Sequence, residues 1–267
     1  MSEFDVKKAE ELERQYDSGL QTRPVGPWLL TFTFFFSLAF AAYHYVTAGI
    51  GVPVDYWHMG VHMSGVILLV FIGYPLLKNA NAWQLRANTW WRFGNVPLWD
   101  WLLIAAGITA SLYVGVTWYE IKFEWLGHTF FLPEQVIRQG NPATIDVVFG
   151  TILIVVLLEA VRRTLGIIVP IIILVFTAYA IFGQHIPVQI LRHPGISWSQ
   201  YINNMYFPAE GIYGITLWIV STVVFHFVLF GVLAQRMGLG QFFVDIATVI
   251  AGRYTGGLAK VSVVSSA

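Results

Sequence analysis

Hydrophobic positions come in long blocks that lack Asp, Glu, Lys and Arg, and the blocks predict membrane-spanning helices. Residues 28–50 form the first such block, 57–77 the second and 101–119 the third. A helix over the first would be about 34 Å long, enough for a hydrocarbon core of about 30 Å. Residues 147–158 form a shorter block bounded by Asp146 and Glu159, whose charged ends are expected near the headgroups. Residues 165–182 and 211–235 are the fifth and sixth. The pattern predicts an all-α polytopic membrane protein of about six transmembrane helices.

Composition agrees: 57% of the 267 residues are hydrophobic and 11% are charged. A soluble chain of this size cannot hide that much apolar surface. Fifteen basic and fifteen acidic residues balance, so no basic excess points to nucleic acid. With no cysteine, thiolate metal sites and cysteine nucleophiles are excluded. No nucleophile–base pair, metal cluster or phosphate loop stands out, so the chain does not read as an enzyme.

The cations set an orientation. Lys7, Lys8, Arg14, Arg23, Lys78, Arg86, Arg92, Arg162, Arg163, Arg236, Arg253 and Lys260 fall on one side of the spans; Lys122, Arg138 and Arg192 fall on the other. The positive-inside rule makes the first side cytoplasmic. Residues 1–27 are then a cytoplasmic N-terminal segment, too acidic for a cleavable signal. Residues 79–95 interleave Trp83, Trp90, Trp91 and Phe93 with cations, as an interfacial helix does. Residues 119–141, also aromatic, are external.

After the sixth block the pattern changes. Breakers at Arg236-Met237-Gly238-Leu239-Gly240 precede a short helix over 241–253, with Phe242, Phe243, Ile246, Val249 and Ile250 on one face. Gly256-Gly257 then opens a small-residue segment too short to span. Broken backbone at membrane depth survives where it is buried in protein or lines a cavity, and in secondary transporters it builds substrate and ion sites. The segment is read as the start of a re-entrant hairpin; the plainer reading is a surface helix followed by an ordinary span.

Leu158-Glu159-Ala160-Val161-Arg162-Arg163-Thr164-Leu165-Gly166, Tyr179-Ala180-Ile181-Phe182-Gly183, Phe227-Val228-Leu229-Phe230-Gly231 and the run from Ala251-Gly252-Arg253-Tyr254-Thr255-Gly256-Gly257 to Ser265-Ser266-Ala267 carry a resemblance. The chain resembles the fused permease subunit of tripartite ATP-independent periplasmic (TRAP) transporters, in the branch that works with binding proteins of the TAXI type. The resemblance runs from about Asp146 to the end. It implies a bacterial inner-membrane permease that imports organic acids. A periplasmic TAXI-type binding protein delivers the substrate, and sodium is the coupling ion. On that pattern residues 28–163 resemble the four-helix small subunit, a scaffold, and 164–267 resemble the beginning of the large subunit, an elevator. The family continues into a hairpin tip and further helices, so the chain reads as an N-terminal fragment whose partners include the remainder of the permease. His226, where an apolar residue is usual, and Leu258, where proline is common, depart from the pattern.

Gly256, Gly257, Ser262, Ser265 and Ser266 are the candidates for the substrate and ion pathway, since serine hydroxyls and freed carbonyls are oxygen donors of the kind sodium takes. Small-residue helix packing is the alternative for all five. Arg162 and Arg163 are read as a clamp, as a site for anionic membrane lipids, or as a positive-inside anchor, with Glu159 one turn earlier as their ion-pair partner. A second function class rests on His44, His58 and His62: two imidazoles facing each other across two spans suit a b-type haem, in the membrane subunit of a quinone-linked redox complex.

Overall fold

A computed structural model describes residues 23–52, 54–76, 92–125, 128–207, 211–251 and 263. Among the described residues, six helical segments are long and apolar enough to cross a membrane. They are α1 (Pro27–Ile50), α2 (Asp55–Gly73), α3 (Leu98–Val116), α5 (Thr144–Thr164), α6 (Ile168–Phe182) with a following turn, and a composite sixth span. That span joins α8 (Ile215–Ile219), a π-helical turn (Val220–Val224) and α9 (Phe225–Arg236). Short elements fill the connections: the hairpin β1 (Arg92–Phe93) and β2 (Val96–Pro97), the hairpin β3 (Ile121–Trp125) and β4 (His128–Leu132), α4 (Gln135–Arg138) and α7 (Trp198–Tyr206). A thirteen-residue helix, α10 (Leu239–Ala251), follows the sixth span.

The expected spans are found, with informative shifts. The second ends at Gly73 rather than Leu77, because Pro75 drives Tyr74 into extended backbone. The fifth starts at Ile168, after Gly166 takes a φ of 92°. The fourth is longer than its charge-free block: it runs from Thr144 to Thr164, with Asp146 in its first turn and Glu159 near its last, and Asp146 and Arg163 are buried inside protein.

The stretch 119–141, expected outside, contains the β3–β4 hairpin, with Phe123 opposite Phe130, so the described residues are helical with two small hairpins added. Of the expected interfacial helix over 79–95, residues 79–91 lie outside the described ones, and Arg92 to Pro97 are a tight hairpin instead. Gly94 and Asn95, both at positive φ, make its two-residue turn, the geometry that matches strand twist.

The second span is the central one: half of its apolar window is buried, against 6% for the sixth. The core joins α2, α3, α5 and α7 through Ile67, Phe71, Ile104, Ala110, Leu153, Val156, Ile202 and Tyr206. Lipid tails are as apolar as leucine, so close contact and polar ties hold such helices together. At Gly60 a Cβ would sit 2.7 Å from the Ser111 carbonyl oxygen, and the Ser64 and Ser111 hydroxyls bond across α2 and α3 at 2.7 Å.

Candidate functional site

Two polar layers tie opposite ends of the bundle. The first gathers the start of α1, the end of α2, the start of α3 and the end of α5. Asp100, wholly buried, accepts from Arg23 at 2.5 Å and from Arg163 at 2.8 Å. Arg163 also donates to Glu159 at 2.7 Å and to the Tyr74 carbonyl at 3.2 Å, and lies over the Phe71 ring. Arg162 forms a two-pronged pair with Glu159, at 2.7 and 2.8 Å, and reaches the Leu76 carbonyl at 3.0 Å. The three predicted residues of this end thus come together, but they differ: the Arg163 side chain has no exposure, whereas Arg162 is 29% exposed. Arg163 is an inter-helix strut, and Arg162 is the one open to the membrane surface.

The second layer lies at the other end. Asp146, in the first turn of α5, is buried and accepts from Arg138, from the Tyr113 hydroxyl at 2.5 Å and from the Ala143 N–H at 2.8 Å. Arg138 further donates to the carbonyls of Pro133 and Thr117, at 2.9 and 3.2 Å. Beside it, Tyr206 and Tyr213 donate to the carbonyls of Ala110 and Ser111, each at 2.5 Å. Burial pushes both phenols up from their ordinary range, so each keeps the proton it donates. Sequence reading did not single out Asp100, Arg138, Tyr206 or Tyr213. The available signal was an acid in the first turn of an apolar helix, where the helix dipole favours it.

Near this second end sits a cluster of imidazoles from three spans. His44 Nε2 and His62 Nδ1 are 2.9 Å apart, and His44 Nδ1 is 2.8 Å from the Phe40 carbonyl. His58 bonds the Tyr43 hydroxyl at 3.1 Å and the Ser221 carbonyl at 3.2 Å. His226 faces the carbonyls of Thr222 and His44. His44 and His62 do face each other, as the haem reading requires, but they touch. An iron between two imidazoles holds their nitrogens about 4 Å apart, at roughly 2 Å per metal–nitrogen bond. Phe40 and Phe225 pack on the same rings, with Phe225 4.1 Å from His44 between centroids. These residues therefore do not fit a haem.

Gly256, Gly257, Ser262, Ser265 and Ser266 lie outside the described residues. The helix leading to them is present as α10, with Phe242, Phe243, Ile246, Val249 and Ile250 exposed.

Six apolar spans tied by buried polar layers define a multi-pass helical membrane protein. Residues 152–267 match the family model described as "Tripartite ATP-independent periplasmic transporter, DctM component". The match supports a transporter component, not an enzyme, over that stretch. No curated protein matches the chain, and no solved structure does.

Proposed function

We propose that the chain is the permease component of a secondary transporter of the tripartite ATP-independent periplasmic type, in the bacterial inner membrane. The observation that carries the reading is the family match over residues 152–267, which include the fifth and sixth spans and α10. On this reading residues 28–163 are a scaffold, and 164–267 belong to the moving transport part. The N-terminus is cytoplasmic, as the cation distribution favours. The substrate is an organic acid delivered by a periplasmic binding protein of TAXI type, and sodium is the coupling ion. Gly256 and Gly257 enter a re-entrant hairpin, and Ser262, Ser265 and Ser266 offer hydroxyls to the ion or to a carboxylate. Arg162, with Glu159, meets lipid phosphates at the cytoplasmic surface, while Arg163 holds the helices that present it.

The test is uptake of labelled carboxylates by the complete permease in proteoliposomes with its binding protein. Uptake should need both that protein and an inward sodium gradient. Replacing Gly256→Ala together with Gly257→Ala should cut the rate about tenfold or more at unchanged insertion, because a Cβ at a hinge costs about 1–3 kcal/mol. Uptake of no carboxylate under any gradient would overturn the transporter reading. A wild-type rate in the double variant would overturn the hinge alone.

A further inference from the structure

The histidine cluster serves neither a haem nor either polar layer, yet it joins the sixth span to α1 and α2. An ionisable group inside a membrane is costly and marks function by default. Three of these rings are buried in protein, His44 at 0% exposure, His58 at 1% and His62 at 5%, while His226 is part-buried.

Each ring can be assigned its protons by counting donors and acceptors. A neutral imidazole has one N–H and one lone pair; only the cation has two N–H groups. His44 Nδ1 meets a carbonyl oxygen, so it donates, and its Nε2 must accept. His62 Nδ1 therefore donates to His44 Nε2. His58 Nε2 meets the Ser221 carbonyl, so it donates, and its Nδ1 accepts from the Tyr43 hydroxyl. One proton per ring satisfies all three. His226 is different. Its Nδ1 faces the Thr222 carbonyl and its Nε2 faces the His44 carbonyl at 2.8 Å. With one proton, one of these contacts sets a lone pair against a carbonyl oxygen. With two, both are hydrogen bonds.

We propose that this junction is a proton-binding site, that the proton is taken up by His226, and that its binding lets both ring nitrogens donate at once, one within the sixth span and one to α1. The proton adds to the free ring nitrogen of His226 and converts a repulsive contact into a hydrogen bond, so that the Thr222 carbonyl on the same span and the His44 carbonyl on α1 are both satisfied. The titratable groups facing His226 are His44 from α1 and His58 from α2. Behind them stand His62, Tyr43 and Asp55, the last in the first turn of α2. From its own span, the Thr222 and Ser221 hydroxyls are both bonded to the Trp218 carbonyl and do not compete. The π-helical turn at Val220–Val224 lies where Ser221 meets His58. Such turns interrupt α-helices frequently at functional sites.

The test uses the full chain in lipid bilayers with ¹⁵N-labelled histidine, each ring assigned by its own His→Gln replacement. As pH is lowered from the alkaline side, His226 should gain its second proton before His44, His58 and His62 do. Those three should hold single protons on Nδ1, Nε2 and Nδ1 respectively. In parallel, the melting temperature of the wild type should fall as pH rises through the loss of that proton. That step should vanish in His226→Phe. The sign is that of a group protonated in the folded state: its contribution is present at low pH and lost at high pH. Another histidine protonating first, or His226 keeping one proton wherever the fold persists, would overturn the proposal. The spectra need only wild-type protein to decide, so a poorly folding His226→Phe does not rescue it.

Discussion

Arg163 donates to Asp100 at 2.8 Å with neither side chain exposed, joining the last turn of α5 to the first turn of α3. The same carboxylate takes Arg23 from ahead of α1. One aspartate thus meets two guanidiniums from two other segments. Taking such charges out of water is expensive, and removing one partner leaves the other uncompensated.

Arg163→Met should therefore destabilise the folded protein by about 3–5 kcal/mol. Arg162→Met, at a half-open pair, should cost about 1 kcal/mol or less. Thermal or denaturant unfolding in detergent measures both. A double-mutant cycle of Arg163→Met with Asp100→Asn isolates the pair. A cost below about 1 kcal/mol for Arg163→Met would mean the buried bridge adds nothing beyond an exposed one.

Packing makes a contrasting pair of glycine predictions. At Gly150 a Cβ would meet Ile202 at 2.5 Å and the Tyr206 ring at 3.1 Å. Gly150→Ala should lower stability by about 1–3 kcal/mol through overpacking between α5 and α7. At Gly231 nothing lies within 4 Å, so Gly231→Ala should raise helix stability by up to about 1 kcal/mol. Equal effects at the two sites would refute the α5–α7 contact as the cause.

Sidedness can be read from single cysteines, since the chain has none of its own. Ile190 is 90% exposed in the connection between α6 and α7, and Met237 is 85% exposed after α9. An impermeant thiol reagent added to intact cells should label Ile190→Cys and should reach Met237→Cys only after permeabilisation. Labelling in the reverse order would invert the proposed orientation.

Much of this architecture was legible in the sequence, because membrane insertion acts on local composition. A charge-free block of about twenty residues spans whatever its neighbours do, so the number and order of the spans follow from the chain alone. The breaker at Gly238 was likewise readable, since positive φ is a local demand.

What only the tertiary structure decided is where charge is tolerated. Asp146 and Glu159 looked like the ends of the fourth span because an unpaired charge cannot sit there. Arg138 and Arg163 neutralise them from 8 positions before and 4 after, and the helix runs through. Asp100 and Arg23 lie 77 positions apart, and His58 and Ser221 163 apart. Local pattern carries no information about partners so distant. The haem reading failed for a related reason: sequence placed His44 and His62 at one depth, but only packing set their nitrogens 2.9 Å apart. The sequence determined which segments enter the membrane, because transfer from water depends on each residue's own chemistry. The fold decided which polar groups meet inside it, because that depends on how the spans are arranged around one another.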